Sequence, residues 1–512
     1  MKILTAEQLR TVDRRSGDTL ALMENAGGRV VDAIEERFGN LEDLQVYVLC
    51  GKGNNGGDGF VVARLLTERK CVPHVLLFAE EREVTGDAAR NLIRLKAVGE
   101  SPIVILSEAE WSGFGCEEEA ALVVDALLGT GLTRPVEGFY RTIIESLPVC
   151  FPQASVLSVD IPSGLSADSE KMIGPAVQAD LTVTFTALKP CLVFPPAHTY
   201  AGDVIVVDIG SPIELLEVPE HKVNLITPDL FRDALHRRRE DTHKGDYGKV
   251  LIVGGSRGKS GAVAMAGQSA LRSGAGLVTV ATASCCMPLV ASSMPELMTE
   301  ALEETAAGSI ANTSIATMLK GKTVVGLGPG LGTHPETQTF ARMTLQQIKV
   351  PVVLDADALN AFSGNTAELR GSSERPVVIT PHPGEMARLI ERDVTFVNDN
   401  RIAVACDFAA KHKVYTVLKG FRTVVATPGG QIFINGTGNP GMATAGMGDI
   451  LTGMLTGMIA QENLGSFDER VLFAVHLHGL AADLAADDIG EEAMVATDLL
   501  YYVGDAWEQI RE

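Results

Sequence analysis

Four short stretches of the chain carry residues whose types and spacing could do chemistry. "CGKGNNGGDGF", Cys50 to Phe60, sets Gly51-x-Gly53-x-x-Gly56 between an apolar run, "LQVYVL", and a helical pattern, "FVVARLLTER". This is the dinucleotide-binding spacing in its strand–turn–helix setting, where glycines let backbone amides approach an anion at a helix amino terminus. Glu80 and Glu81, ending the next apolar run, sit near where a ribose-binding acid would stand. Yet Asn54, Asn55 and Asp58 crowd the same turn, and a carboxylate there would repel a pyrophosphate. "ALVVDALLGTGLTRP" places Asp125 at the end of a second apolar run, and "SVLSVDIPSGLSAD" places Asp160 and Ser163 at the end of a third. Ligands of open parallel sheets bind at the carboxyl ends of strands, so these loops converge on one site. Asn55, Asp125 and Ser163 offer the oxygen atoms that suit a hard cation, which leaves Asp160 as a general acid or base.

The fourth stretch is "NGTGNPGMATAGMGDILTGMLTG", with Gly446 and Gly448 at the start of an apolar helix and Asp449 in its first turn. Exposed amides and the helix dipole can cradle a phosphoryl group as negative charge develops. The neighbouring carboxylate can take the proton of an attacking hydroxyl. "KVLIVGGSRGKSGAV" fails as a nucleotide P-loop, because the leading glycine should stand at 253 and that residue is Val253. Gly254, Gly255, Gly261 and Ala262 make it a glycine-rich substrate loop instead.

The elements that must hold these loops read as strands alternating with helices. "QVYVLC", "VPHVLLFA", "PIVIL", "ALVVDALL", "SVLSVDI", "LTVTFTA" and "DVIVVDIG" fill the first 210 residues. Their apolarity is continuous rather than alternating, which predicts strands buried on both faces and parallel sheets covered by helices. A Pro-containing segment and the basic cluster "LHRRREDTHKGDYG" follow, and then a second series begins with "KVLIVGG". The boundary is placed between about 212 and 230, giving α/β domains over 1–215 and 225–510. "RTVVATPGGQIFIN" predicts an antiparallel hairpin at the edge of the second sheet.

Composition narrows the function classes. The 512 residues are 46% hydrophobic and 21% charged, as for a globular protein with large cores. No 18-residue apolar run or signal-peptide core is found, so a soluble, cytoplasmic protein is expected. Eight cysteines without a C-x-x-C pair are expected to be reduced thiols. Forty-three basic against 65 acidic residues give a net charge of −22, which argues against nucleic acid or an anionic membrane as partner.

"NNGGDGF", "DALLGTGLTRP" and "DIPSGLSAD" resemble the signature loops of the NAD(P)H-hydrate epimerase family, and "ALMENAG" its opening helix. The resemblance implies a Rossmann-like fold whose ligand is hydrated NADH or NADPH rather than a redox cofactor. It implies that Asn54, Asn55, Gly56, Gly57 and Asp58 contact that ligand, as do Gly129, Thr130, Gly131, Leu132, Thr133, Arg134 and Pro135. Tyr140 and Asp160 would line the site, and K+ would lie against Asn55, Asp125 and Ser163. The G-x-G-D arrangement at Asp449 resembles the ribokinase-like kinases, and "GLGPGLG", "DADALN", "TPHPGEMARL" and "VLKGFRTVV" resemble their ADP-dependent NAD(P)H-hydrate dehydratase branch. This second resemblance implies adenine-nucleotide contacts at Lys419, Gly420, Phe421, Arg422, Thr423 and Gly448. Ala262, Gly330, His382 and Asp449 would face the hydrate, Mg2+ would accompany ADP, and Glu385 could reach it through water. The implied assembly is a homo-oligomer, a tetramer.

Together the resemblances imply a bifunctional repair enzyme that epimerises R and S hydrates and dehydrates the S form, releasing AMP and phosphate. Three alternatives stay open on the residues themselves. They are a small-molecule kinase with an unrelated appendage, an oxidoreductase using the 51–56 loop, and a nucleotide-sensing or protein-binding module.

Overall fold

The sheets owe their position to strands whose two faces both find apolar partners. In the strand Val46–Cys50 (β1), Val46, Val48 and Cys50 enter one core while Tyr47 and Leu49 enter another on the opposite face. A strand covered on both sides needs no polar face, which is why "VYVLC" shows no alternation. The structure, a computed structural model, describes residues 1–511 apart from Cys116 and Glu118. It divides into two units, Met1–His221 and Lys222–Glu512.

In the first unit β1 is joined by β2 (His74–Leu77), β3 (Ile103–Val104), β4 (Leu122–Ala126), β5 (Ser155–Val159), β6 (Leu181–Phe185) and β7 (Asp203–Val207). Their order is β3-β2-β1-β4-β5-β6-β7, and every pairing is parallel. The order reverses between β1 and β4, so the loops after these two strands part and leave a crevice.

The second unit has β8 (Val223–Leu225), β9 (Lys249–Val253), β10 (Leu277–Ala283), β11 (Met298–Leu302), β12 (Val324–Leu327) and β13 (Val352–Leu354). It continues with β14 (Val377–Ile379), β15 (Tyr415–Leu418), β16 (Val424–Ala426) and β17 (Ile432–Ile434). The order is β11-β10-β9-β12-β13-β14-β15-β16-β17-β8, again reversing at its first strand after the boundary region, between β9 and β12. β15, β16 and β17 run antiparallel to one another in sequence, as the hairpin signal predicts.

Two strands go beyond the sequence reading. β8, taken from the segment read as a connector, caps the sheet edge by pairing parallel to β17, so the hairpin is not the edge itself. β11, "MTEAL", pairs with β10 although only Leu302 of its residues is buried. Three residues, or a mostly polar edge, leave no apolar run to read. A helix over Met447–Ile459 crosses the middle of this unit, with Ile450, Leu451, Met454, Leu455 and Met458 all in the core. Each such side chain contributes roughly 1.5–3 kcal/mol of burial. The helix is apolar all round, so its amino end, not its flank, carries the chemistry.

Among the described residues no helix is long and apolar enough to cross a membrane. Among the described residues Cys50, Cys71, Cys191, Cys285, Cys286 and Cys406 are free thiols.

Candidate active sites

In the first unit the loop after β1 turns directly into the helix Asn54–Glu68, so Asn54 and Asn55 open a helix at the sheet's carboxyl edge. The turn is closed so tightly that a Cβ on Gly56 would stand 1.8 Å from the Gly51 carbonyl oxygen. Glycine there is a packing requirement of the turn. Above it lies a cavity of about 610 Å³. Asn54, Asn55, Asp58, Tyr140 and Asp160 line it, together with Gly129, Thr130, Gly131 and Leu132 of the loop after β4. Gly56 and Gly57 lie under the wall, Gly57 against Met23 and Ala88, and Thr133, Arg134 and Pro135 fall beyond it. Tyr140 is tied down by its hydroxyl, which donates to the Phe78 carbonyl at 2.9 Å.

Asp125 and Ser163 sit beneath the cavity floor rather than in its wall. Asp125 is fully buried, and its carboxylate accepts hydrogen bonds from Leu127 N, Ser158 Oγ, and both Ser163 N and Oγ. Ser163 Oγ in turn accepts from Leu128 N at 2.8 Å, and Asn55 Nδ2 donates to the Leu128 carbonyl at 3.1 Å. No basic side chain among the described residues forms an ion pair with Asp125, and burial raises its pKa against the pull of these hydrogen bonds. A buried carboxylate without a counter-charge, in a knot of carbonyl, amide and hydroxyl oxygens, fits a monovalent or other hard cation in donor chemistry.

The cavity also contains residues that the motifs did not announce. Lys189 is 1% exposed and spends its ammonium on Asp160, on Thr184 Oγ1 at 2.7 Å and on the Phe185 carbonyl at 3.1 Å. Asp160 further accepts from Thr184 Oγ1 and Phe185 N, at 3.2 and 3.3 Å. Its backbone is left-handed, φ 66°, a conformation that a non-glycine residue holds only when its surroundings impose it. Asp58, nine-tenths buried, has its pKa pushed well above the carboxylate range by burial, with Asp160 and Asp13 adding to the effect. Asp13 is raised in the same way, by burial and then by Asp160. One cavity thus holds an ion-paired carboxylate and a neighbouring carboxyl favoured in its neutral form, the pairing that acid–base chemistry needs. The strand-end rule could have found Lys189, which follows the end of β6 by only four residues. Asp13, on the helix Ala6–Ser16, gives no local signal.

In the second unit the loops after β9 and β12 interlock. Gly255 N donates to the Pro329 carbonyl and Ser256 Oγ to the Gly330 carbonyl, both at 2.8 Å. A Cβ on Gly330, whose φ is +62°, would approach Ala262 Cβ to 3.0 Å, so these two predicted residues meet. Opposite them the helix Met447–Ile459 begins at Gly446, φ +96°, with no side-chain cap to occupy its amides.

A ladder of charge runs past this helix start. Asp355, 1% exposed at the end of β13, accepts from Lys419 Nζ at 2.7 Å and from Thr452 Oγ1, on the same helix as Asp449, at 2.9 Å. Lys419 also lies 3.9 Å from Glu385. Gly448 lies against the Lys419–Asp355 pair, since a Cβ there would come within 3.2 Å of Lys419 Nζ and 3.6 Å of Asp355 Oδ2. His382 caps the helix Pro383–Ile390, Nδ1 accepting from Gly384 N, while its backbone N–H donates to Glu385 Oε2 at 2.8 Å. Burial, then Lys419, lowers its pKa, which favours the neutral imidazole. Asp449 is pushed up to about 7 by burial first, then by Asp355, with Asp357 and Glu385 adding and Lys419 opposing. A carboxyl poised there is well matched to receive a proton near neutrality. Asp355 is the residue missed here; "DADALN" shows its position at a strand end but not its partners.

Comparison with known proteins places both units. A family model described as NAD(P)H-hydrate dehydratase matches residues 250–504, and one described as the YjeF-related protein N-terminus matches residues 19–191. The chain is similar to the bifunctional NAD(P)H-hydrate repair enzyme Nnr of Moorella thermoacetica, 39% identical over 98% of this chain and 96% of that protein. It is 36% identical to the protein of that name from Escherichia coli, over 96% of this chain and 92% of the other. A solved ADP/ATP-dependent NAD(P)H-hydrate dehydratase from Bacillus subtilis, co-crystallized with ATP/Mg2+, is 32% identical, covering 56% of this chain and 99% of that one at a TM-score of 0.48.

Proposed function

From the premise that the chain belongs to the family of bifunctional NAD(P)H-hydrate repair enzymes, we infer that it repairs hydrated NADH and NADPH by two reactions. The first unit interconverts R and S hydrates, and the second dehydrates the S form at the expense of ADP. The observation that carries this reading is the presence in one chain of two complementary sites. One is a cavity with Asp160 clamped by Lys189, and the other is an uncapped helix start bearing Asp449.

In the second site Asp449 takes the proton of the hydrate's hydroxyl, and the oxygen attacks the β-phosphorus of ADP as the bond to AMP breaks. The hydroxyl, a poor leaving group, thereby becomes a phosphate ester. Inorganic phosphate then departs with that oxygen, the adjacent ring carbon loses a proton, and the double bond of NAD(P)H returns. Amides at Gly446 to Gly448 and the Lys419 ammonium, which lies beside Gly448, would meet the charge on the transferring group. Lys419, Gly420, Phe421, Arg422 and Thr423 form the nucleotide loop, while Ala262, Gly330 and His382 face the hydrate. Mg2+ would arrive with the diphosphate and neutralise part of its charge. Asp355 and Glu385 already face Lys419, so phosphate oxygens and water would supply its ligands.

In the first site Asn54, Asp58, Tyr140, Asp160 and the 129–132 loop hold the hydrate, and Asp160 handles the proton. Asn55, Asp125 and Ser163 would hold K+, whose positive charge would offset the buried Asp125 carboxylate and stiffen the loop after β4.

The test is incubation of the protein with mixed hydrate epimers, with and without ADP. With ADP, NADH absorbance recovers from both epimers, with one AMP and one phosphate per NADH; without it, the epimers only interconvert. A stable phosphorylated product would instead mark a small-molecule kinase and overturn the reading.

A further inference from the structure

Arg401, the first residue of the helix Arg401–His412, is outside every motif considered above, yet its side chain runs beneath the nucleotide loop. Nη1 donates to the Phe421 carbonyl, and Nη2 to the carbonyls of Leu418 and Arg422 at 3.4 and 3.3 Å. Its Nε is buried with no hydrogen-bond partner, and no carboxylate among the described residues forms an ion pair with it. Desolvation lowers its pKa to about 10. A half-buried guanidinium whose described partners are carbonyl dipoles is a costly arrangement for the protein alone.

A second, independent feature sits on the same loop. Arg422 has φ 54° and Gly420 φ 140°, so a non-glycine residue is held in the left-handed region. Such strain persists where the surroundings impose it, and Arg401 grips the carbonyls on both sides of Arg422. Carbonyl and N–H point in opposite directions across a trans peptide. The Phe421 and Arg422 carbonyls face Arg401, so the N–H groups of Arg422 and Thr423 point to the other side of the loop. Those peptide units lie between a fixed cation and the loop's outer face, and the cation polarises them toward an anion there.

We propose that Arg401 is a positioning residue for the nucleotide: it templates the 419–423 loop and aims two polarised amides at the diphosphate without touching it. This rests on the reading that the loop takes ADP. The guanidinium fork is needed because one planar group reaches three carbonyls; a lysine ammonium keeps the charge but cannot span them from the same stem.

The test compares wild type with Arg401→Lys and Arg401→Ala, each assayed for ADP-dependent dehydration of the S hydrate. Both variants should raise the KM for ADP by about tenfold or more, with kcat and the KM for the hydrate within about threefold of wild type. Millimolar guanidinium should restore the ADP KM of Arg401→Ala. Epimerisation serves as an internal control. An unchanged ADP KM in both variants overturns the proposal. So does a parallel loss of kcat and hydrate binding, which would mark a general scaffold role. If Arg401→Ala does not fold, Arg401→Lys and direct titration with ADP decide between the same outcomes. Wild-type protein that shows no ADP-dependent dehydration counts against the functional reading, not against Arg401's grip on the loop.

Discussion

The two units use one backbone device and opposite arrangements of charge. Each opens its site where the strand order reverses, between β1 and β4 in one and between β9 and β12 in the other. Each starts a helix beside that point. In the first unit the acidic groups gather around a buried ammonium, Lys189, in the wall of a cavity. In the second they are strung past a helix start, Asp355 and Glu385 flanking Lys419 while Asp449 waits at the helix's first turn. The first arrangement can pass a proton to and from one small ligand. The second adds what a phosphoryl group needs, open amides and a lysine beside a base of matched pKa. The difference teaches that the fold supplies the crevice, and the placing of cations among carboxyls decides the chemistry done in it.

The sharpest way to break the comparison is Asp449→Asn. Dehydration should fall by about 10²–10⁴-fold, the usual worth of a general base, while epimerisation is unchanged. Equal loss of both activities would merge the two sites into one. Asp160→Asn should do the converse, slowing consumption of the R hydrate by about a hundredfold while the S hydrate is repaired at the wild-type rate. Chiral separation of the residual hydrates measures it.

Lys189→Met leaves Asp160 facing the cavity with its cation gone. Breaking a buried pair from one side costs about 3–5 kcal/mol, so the unfolding transition of the first unit should move down while that of the second stays. Calorimetry that finds both transitions unmoved would remove Lys189 from its role. The pH profile gives a smaller effect. Asp449 is protonated below about 7 and cannot then accept a proton, so dehydration should rise with pH through that value. Asp355→Asn removes a charge that raises Asp449, and should shift this limb to lower pH as well as freeing Lys419. An unshifted limb would show that Asp355 does not act on the base. Smallest of all, replacing K+ by a bulky organic cation should slow epimerisation a few-fold and leave dehydration alone.

The loops of the candidate sites were legible because each is local. Asn55 and Asp58 stand in one turn, Asp125 and Ser163 end successive apolar runs, and Gly446, Gly448 and Asp449 share one helix start. The continuous apolarity of "VYVLC" or "KVLIV" predicts a strand covered on both faces, and both strands are so covered. β8 and β11 were not legible, since their residues pair through the backbone and bury few side chains. Lys189 stands four residues past a strand end, a place the strand-end rule covers, but "TALKPCL" reads the same whether the ammonium meets water or Asp160.

By itself, then, the amino-acid order determined the two α/β units, the strand-end loops and the residue types available for catalysis, because periodicity and turn chemistry act over a few residues. Only the tertiary structure decided which of those groups share a charge. Lys419 meets Asp355 from 64 residues away, Lys189 meets Asp160 from 29, and Arg401 meets the Phe421 carbonyl from 20. Burial then sets how strongly each pair is felt, as it does in raising Asp449 to about 7. Desolvation and Coulomb interaction depend on distance and enclosure in space, and sequence spacing encodes neither.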